Sequence, residues 1–197
     1  MTMRTTVDDG AGRNTLTMLG NFAAFQVGWF AAVLSATARA PWLGVLVMAA
    51  VILLHLRSVD RPLPELVLVA LCGAIGCVWD SLLVMSGWVA YPSGMLLPGF
   101  APYWIVAMWM LFATTLNQSL GWLKSRRLLA VALGAAGGPL SYYAGAKLGG
   151  IALLAPGPAM LALAVGWGIL MPSLLTIAAR YDGVTIEADA EHGWVLD

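Results

Sequence analysis

Asp80 stands inside the apolar run 65–86, ELVLVALCGAIGCVWDSLLVMS, where an ionisable side chain is out of place. A charge at the centre of a membrane helix costs roughly 2.5–3.5 kcal/mol on insertion scales, so such a residue needs a partner or a task. Gly73, Gly76 and Cys77 precede it by seven, four and three residues and share its helical face. Small residues mark faces where helices approach closely, so Asp80 is expected to point into a bundle rather than at lipid. There it is either a hydrogen-bonded structural acid or a group for catalysis, proton transfer or ligand binding.

Other polar residues sit in similar runs. His55 closes the run 41–57 and Glu65 opens the next, with Arg57, Asp60 and Arg61 between them. His55 can titrate near neutral pH if it faces a wet cavity, which makes it the second acid–base candidate. Equally, His55 and Glu65 can cap helix ends at the interface. Asn21 and Gln26 lie on the first run, Asn117 and Gln118 on the fourth; Thr114, Asn117, Gln118 and Gly121 share a helical face. Such amides either bridge helices or line a polar pocket. In the fifth run Gly134, Gly138, Ser141, Gly145 and Gly149 form a small-residue seam that Tyr142 joins, while Tyr143 lies beside Lys147 on another face. Lys147 either snorkels to the outer interface or serves as counter-ion to Asp80. Pro139 is expected to bend or loosen that helix. Trp88 and Tyr91 complete the candidate binding residues. No spacing matches a metal-ligand set, so no metal is expected, and no catalytic or cofactor signature is present. Cys72 and Cys77 fall about 140° apart around a helix and cannot bridge each other.

The elements that must hold these groups follow from composition. Of 197 residues 60% are apolar and 10% charged, and the mean hydropathy is +0.84, against about 25% charged residues in a soluble domain. Ten basic residues balance ten acidic ones, so there is no basic face for nucleic acid. Apolar runs at 15–36, 41–57, 65–86, 103–123, 128–148 and 158–178 predict an all-α bundle of six transmembrane helices, each span needing roughly 20 residues. A polar N-terminal stretch, 1–14, is expected to be disordered, and an acidic tail, 181–197, to follow the bundle. Ala36-Thr37-Ala38 has a small-x-small look, but the run before it exceeds a signal-peptide core and carries Asn21 and Gln26, so an uncleaved helix is expected.

Arg4, Arg13, Arg57, Arg61, Lys124, Arg126, Arg127 and Arg180 fall on one side of the six-span arrangement, and only Arg39 and Lys147 on the other. The positive-inside rule then puts both termini in the cytoplasm. Trp88, Tyr91, Tyr103 and Trp104 crowd the outer side, as interfacial aromatics do.

Asn21, Gln26 and Trp29, the His ending span two, Glu65, Asp80, Trp104 to Phe112, and Gly137-Gly138-Pro139 with Ser141-Tyr142 and Gly145 together resemble a family of small six-helix bacterial inner-membrane proteins of unknown function, domain of unknown function 2878. The resemblance covers roughly residues 15–178. It implies a genetic context of lipid-modifying enzymes, hence membrane lipids and a lipid-modifying enzyme as partners, but assigns no reaction to any residue. More locally, Trp79-Asp80 through Trp88 and Tyr91 to Pro102 resembles the core of integral-membrane lycopene cyclases. Tyr103 and Trp104 stand where that family has paired glutamates, so only Asp80, Trp88 and Tyr91 carry over, as pocket residues. The reading is a protein that acts on, or supports modification of, a lipid or isoprenoid-like substrate. A non-catalytic scaffold and a small transporter are the alternatives.

Overall fold

Proline opens three of the six α-helices among the described residues. The computed structural model describes residues 5–184, with side chains from residue 15, and contains α1 Thr5–Thr37, α2 Pro41–Ser58, α3 Pro62–Met85, α4 Tyr103–Leu116, α5 Arg127–Lys147 and α6 Pro156–Arg180. Pro41, Pro62 and Pro156 start their helices, where a backbone N–H would have no intrahelical partner anyway. Of the stretch expected to be disordered, 1–4 lies outside the described residues and 5–14 opens α1 as helix; of the acidic tail, 185–197 lies outside them. α1, α2, α3, α5 and α6 are each long and apolar enough to cross a bilayer. Large side chains such as Leu54, Leu63, Val78, Leu161 and Ile169 point outward, as lipid-facing residues of a multi-pass bundle should.

α4 differs from expectation. The apolar run 103–123 forms a helix only to Leu116, followed by turns and a single 3₁₀ turn, Gly121–Leu123. Its 14 residues rise about 21 Å, short of the roughly 30 Å hydrocarbon core. Asn117 and Ser119 divert the chain, because their side chains bond neighbouring elements. Below Tyr103 the missing length is replaced by the segment 86–102, which folds back onto the bundle. Ala101 N donates to Ser81 Oγ at 2.9 Å, Ser93 Oγ to Ala36 O at 2.7 Å, and Trp104 Nε1 to Ser93 O at 3.1 Å. Gly94, at φ +83°, allows this return where a side chain would meet the Trp104 ring. Two residues of the segment, β1 Val89–Ala90, pair antiparallel with β2 Ala152–Leu153 before α6.

Tyr91 and Trp104 are therefore buried inside the protein rather than exposed at its surface: Tyr91 is carried inward by the segment, and Trp104, at the start of α4, is covered by its Ser93 and Gly94. Tyr103 and Trp88 remain half-buried. α5 continues as helix through Pro139.

α1 packs on α2, α3 on α4, and α4 also reaches α1 and α2; α5 and α6 form a hairpin that meets the others over few backbone approaches. The glycine seam explains the hairpin. A Cβ on Gly134 would strike the Trp167 backbone, and one on Gly138 the Trp167 ring. Between the hairpin and the rest, Trp79 of α3 lies over Gly166 of α6, and Trp109 of α4 stacks on Trp167 at 4.7 Å.

Candidate functional site

Asp80 has no exposed surface. Its face of α3 is the stripe that the glycines mark. A Cβ on Gly76, one turn earlier, would collide with the Trp109 ring, so the missing side chain is what lets that indole lie against α3. Trp109 Nε1 then donates to Asp80 Oδ2 at 2.7 Å. Oδ1 accepts from two phenols, Tyr91 at 2.5 Å and Tyr142 at 2.6 Å. The donors come from α4, α5 and the 86–102 segment, so one carboxyl group joins four elements. Three donors satisfy both carboxyl oxygens, which offsets part of the cost of placing the acid there. Two phenols and an indole enclose the carboxyl group. Around them the indole N–H groups of Trp79 and Trp167 are buried without a partner.

A second polar centre lies at the other end of α3. Glu65 is fully buried in the first turn of that helix, where the macrodipole favours an acid. His55 Nε2 lies 3.0 Å from Glu65 Oε2. Oε1 accepts from Asn117 Nδ2 at 2.6 Å and from the backbone N–H of Gly183 at 2.9 Å. His55 and Glu65 thus form a buried bridge between α2, α3, α4 and the chain beyond α6, rather than interfacial caps. His55 Nδ1 and Asn117 Oδ1 are left without partners. Fifteen residues of helix separate Glu65 from Asp80, a rise of about 22 Å. His55 and Asp80 therefore belong to separate centres and cannot act on one reacting atom.

The remaining candidates are dispersed. Asn21 Nδ2 donates to Thr114 O at 3.0 Å and Asn21 Oδ1 accepts from Ser119 Oγ at 2.7 Å, tying α1 to the end of α4. Gln26 and Gln118 are half-buried. Trp88 contributes its carbonyl to Leu154 N at 2.9 Å and does not reach Asp80. Lys147 is exposed, its Nζ 5.3 Å from the Tyr143 ring centroid; Tyr142, not Lys147, is the partner of Asp80. Cys72 and Cys77 are free. Among the described residues no cluster of His, Cys, Asp or Glu could hold a metal.

Sequence reasoning missed Trp109 and Gly183. The glycine four residues before Asp80 was the available signal for a bulky neighbour, but nothing on α4 says which aromatic fills the gap.

A family model described as Protein of unknown function (DUF2878) matches residues 18–173, nearly the whole bundle. No curated protein and no solved structure matches the chain, and the cyclase resemblance has no counterpart in these comparisons.

Proposed function

Because the chain belongs to that family of unknown function, its role must be argued from its own geometry, and we propose that it handles a lipid-soluble substrate at Asp80. On this reading it is a bacterial inner-membrane protein with cytoplasmic termini that acts on, or supports modification of, a lipid or isoprenoid-like molecule. The observation that carries the proposal is a carboxyl group in an apolar bundle whose Oδ1 is shared by two phenols at 2.5 and 2.6 Å. Tyr91 rides on a segment whose Met95, Leu96, Leu97 and Phe100 face outward. Such a segment can lie in the lipid and part from the bundle, giving a hydrophobic molecule lateral access. A substrate hydroxyl that displaces the Tyr91 hydroxyl meets Asp80 Oδ1, which can take its proton as general base. Tyr142 and Trp109 keep the carboxyl oriented meanwhile. The indole N–H groups of Trp79 and Trp167 are buried without a partner, Trp167 being stacked on Trp109, and buried donors without partners are uncommon enough to need a reason.

The test is lipid and isoprenoid mass spectrometry on deletion cells carrying wild type, Tyr91→Phe or Asp80→Asn, at matched membrane abundance. The expected result is a lipid species that changes on deletion, is restored by wild type and is not restored by either variant. An unchanged profile on deletion defeats the proposal.

A non-catalytic scaffold is the second reading, favoured by one observation: Asp80 and Glu65 each draw three donors from different elements. On that reading both variants lower the melting temperature while the lipid profile stays that of wild type.

A further inference from the structure

The turn between α4 and α5 reads Trp122-Leu123-Lys124-Ser125-Arg126-Arg127, three cations in four residues at the edge of the apolar bundle. Lys124 Nζ is held by Asp182 Oδ2 at 2.6 Å, which cancels its charge. Arg126 and Arg127 are exposed, and the Arg126 guanidinium lies 5.4 Å from the centroid of the exposed Trp122 ring. An aromatic with an arginine on its face is how membrane proteins anchor at the headgroup level. Directly below, a cavity of about 130 Å³ opens between α5 and α6. Lys124 and Arg127 line it together with Thr176; Leu123, Ala130, Pro172, Leu175 and Ala179 form the rest of its walls. Leu128, next along α5, is almost fully exposed, so the cavity is flanked by a side chain suited to acyl chains.

Two exposed arginines, one of them lining a slot that is polar at its mouth and walled by leucine, alanine and proline within a helix hairpin, suit an anionic headgroup that carries an acyl chain. We infer that this site binds an anionic phospholipid, its phosphate held by Arg126 and Arg127 and the first part of an acyl chain seated in the α5–α6 slot. Charge fixes the headgroup class, because a zwitterionic lipid carries its own cation to the same place and gains less. The slot distinguishes a lipid from a soluble phosphate, which has nothing to put there. The inference is independent of Asp80, whose cage lies toward the other end of the bundle.

The test uses the full chain in detergent, with native mass spectrometry counting retained phosphatidylglycerol against phosphatidylcholine. Wild type should retain phosphatidylglycerol preferentially. Each basic residue near the surface is worth roughly a fivefold change in binding, so Arg126→Gln/Arg127→Gln should retain it about thirtyfold more weakly. Arg57→Gln, at an exposed arginine in the last turn of α2, should bind like wild type. Ala179→Trp leaves both arginines in place and fills the slot from an exposed position on its lining; it should also lose retention, and it keeps the question open to refutation should the double variant fail to fold. Equal retention of both lipids, an equal loss in Arg57→Gln, or full retention in Ala179→Trp each overturns the site.

Discussion

Removing the Tyr142 hydroxyl tests whether Asp80 joins the two parts of the bundle. Tyr142 sits on α5, and its bond to Asp80 on α3 at 2.6 Å is one of few polar ties between the α5–α6 hairpin and the other helices. Tyr142→Phe keeps the ring packed and deletes a single donor. A hydrogen bond to a charged group is worth about 1.5–3 kcal/mol, so the loss should be about 2 kcal/mol. For a chain of this size that lowers the melting temperature by roughly 4–8 °C. The informative comparison is the same substitution in an Asp80→Ala background. There the phenol has lost its acceptor, and deleting a stranded buried donor should cost nothing or stabilise slightly. The two changes should therefore couple by about 1.5–3 kcal/mol, the double variant being less unstable than the sum. Thermal unfolding followed by helical circular dichroism in detergent micelles measures all four corners of the cycle. If Tyr142→Phe lowers the melting temperature equally in both backgrounds, the phenol does not donate to Asp80 and the account of the cage is wrong.

Asp80→Asn presents one acceptor oxygen where the carboxylate presents two, so at least one of the three donors is stranded; a loss of about 1–3 kcal/mol is expected in the same melting assay. Gly138→Leu should open the α5–α6 hairpin, where any Cβ meets the Trp167 ring, whereas Leu133→Ala, on a part-exposed side chain, should be mild; similar melting temperatures for the two would mean that the seam faces lipid. Glu65→Ala leaves His55, Asn117 and the Gly183 N–H without their acceptor, at a cost of about 3–5 kcal/mol. It should also speed tryptic cleavage after Arg180, read by mass spectrometry, while wild-type cleavage rates in the variant would refute the bridge. With cytoplasmic termini, single cysteines beside Arg57, Lys124 and Arg180 should resist a membrane-impermeant reagent in intact cells and one beside Pro98 should react; one reversed position breaks the proposed topology.

Much of the architecture was legible because its cause is local. Composition and the spacing of apolar runs demand membrane helices whatever their arrangement, since a backbone in hydrocarbon must satisfy its own N–H and C=O groups. Prolines at helix starts and the fourfold glycine spacing on α5 belong to the same class, as does the inward face of Asp80, which Gly73 and Gly76 mark on its own helix. The length of α4 was not legible. An apolar run looks the same whether it stays helical to residue 123 or turns at Asn117, and the turn is decided by bonds from Asn21 and Glu65, far away in sequence.

The same limit governs the site. An acid inside an apolar run announces that partners exist, because its charge must be compensated. Which partners is a question of helix arrangement. Lys147 was a candidate counter-ion, Tyr142 was legible only as a member of the glycine seam, and Trp109 carried no mark at all. Only the packing of α4 against the Gly76 face brings that indole to Oδ2, and only the return of the 86–102 segment turns Tyr91 from an interfacial aromatic into a ligand of the carboxylate. Periodicity is written along one helix; complementarity between helices exists only once they are packed.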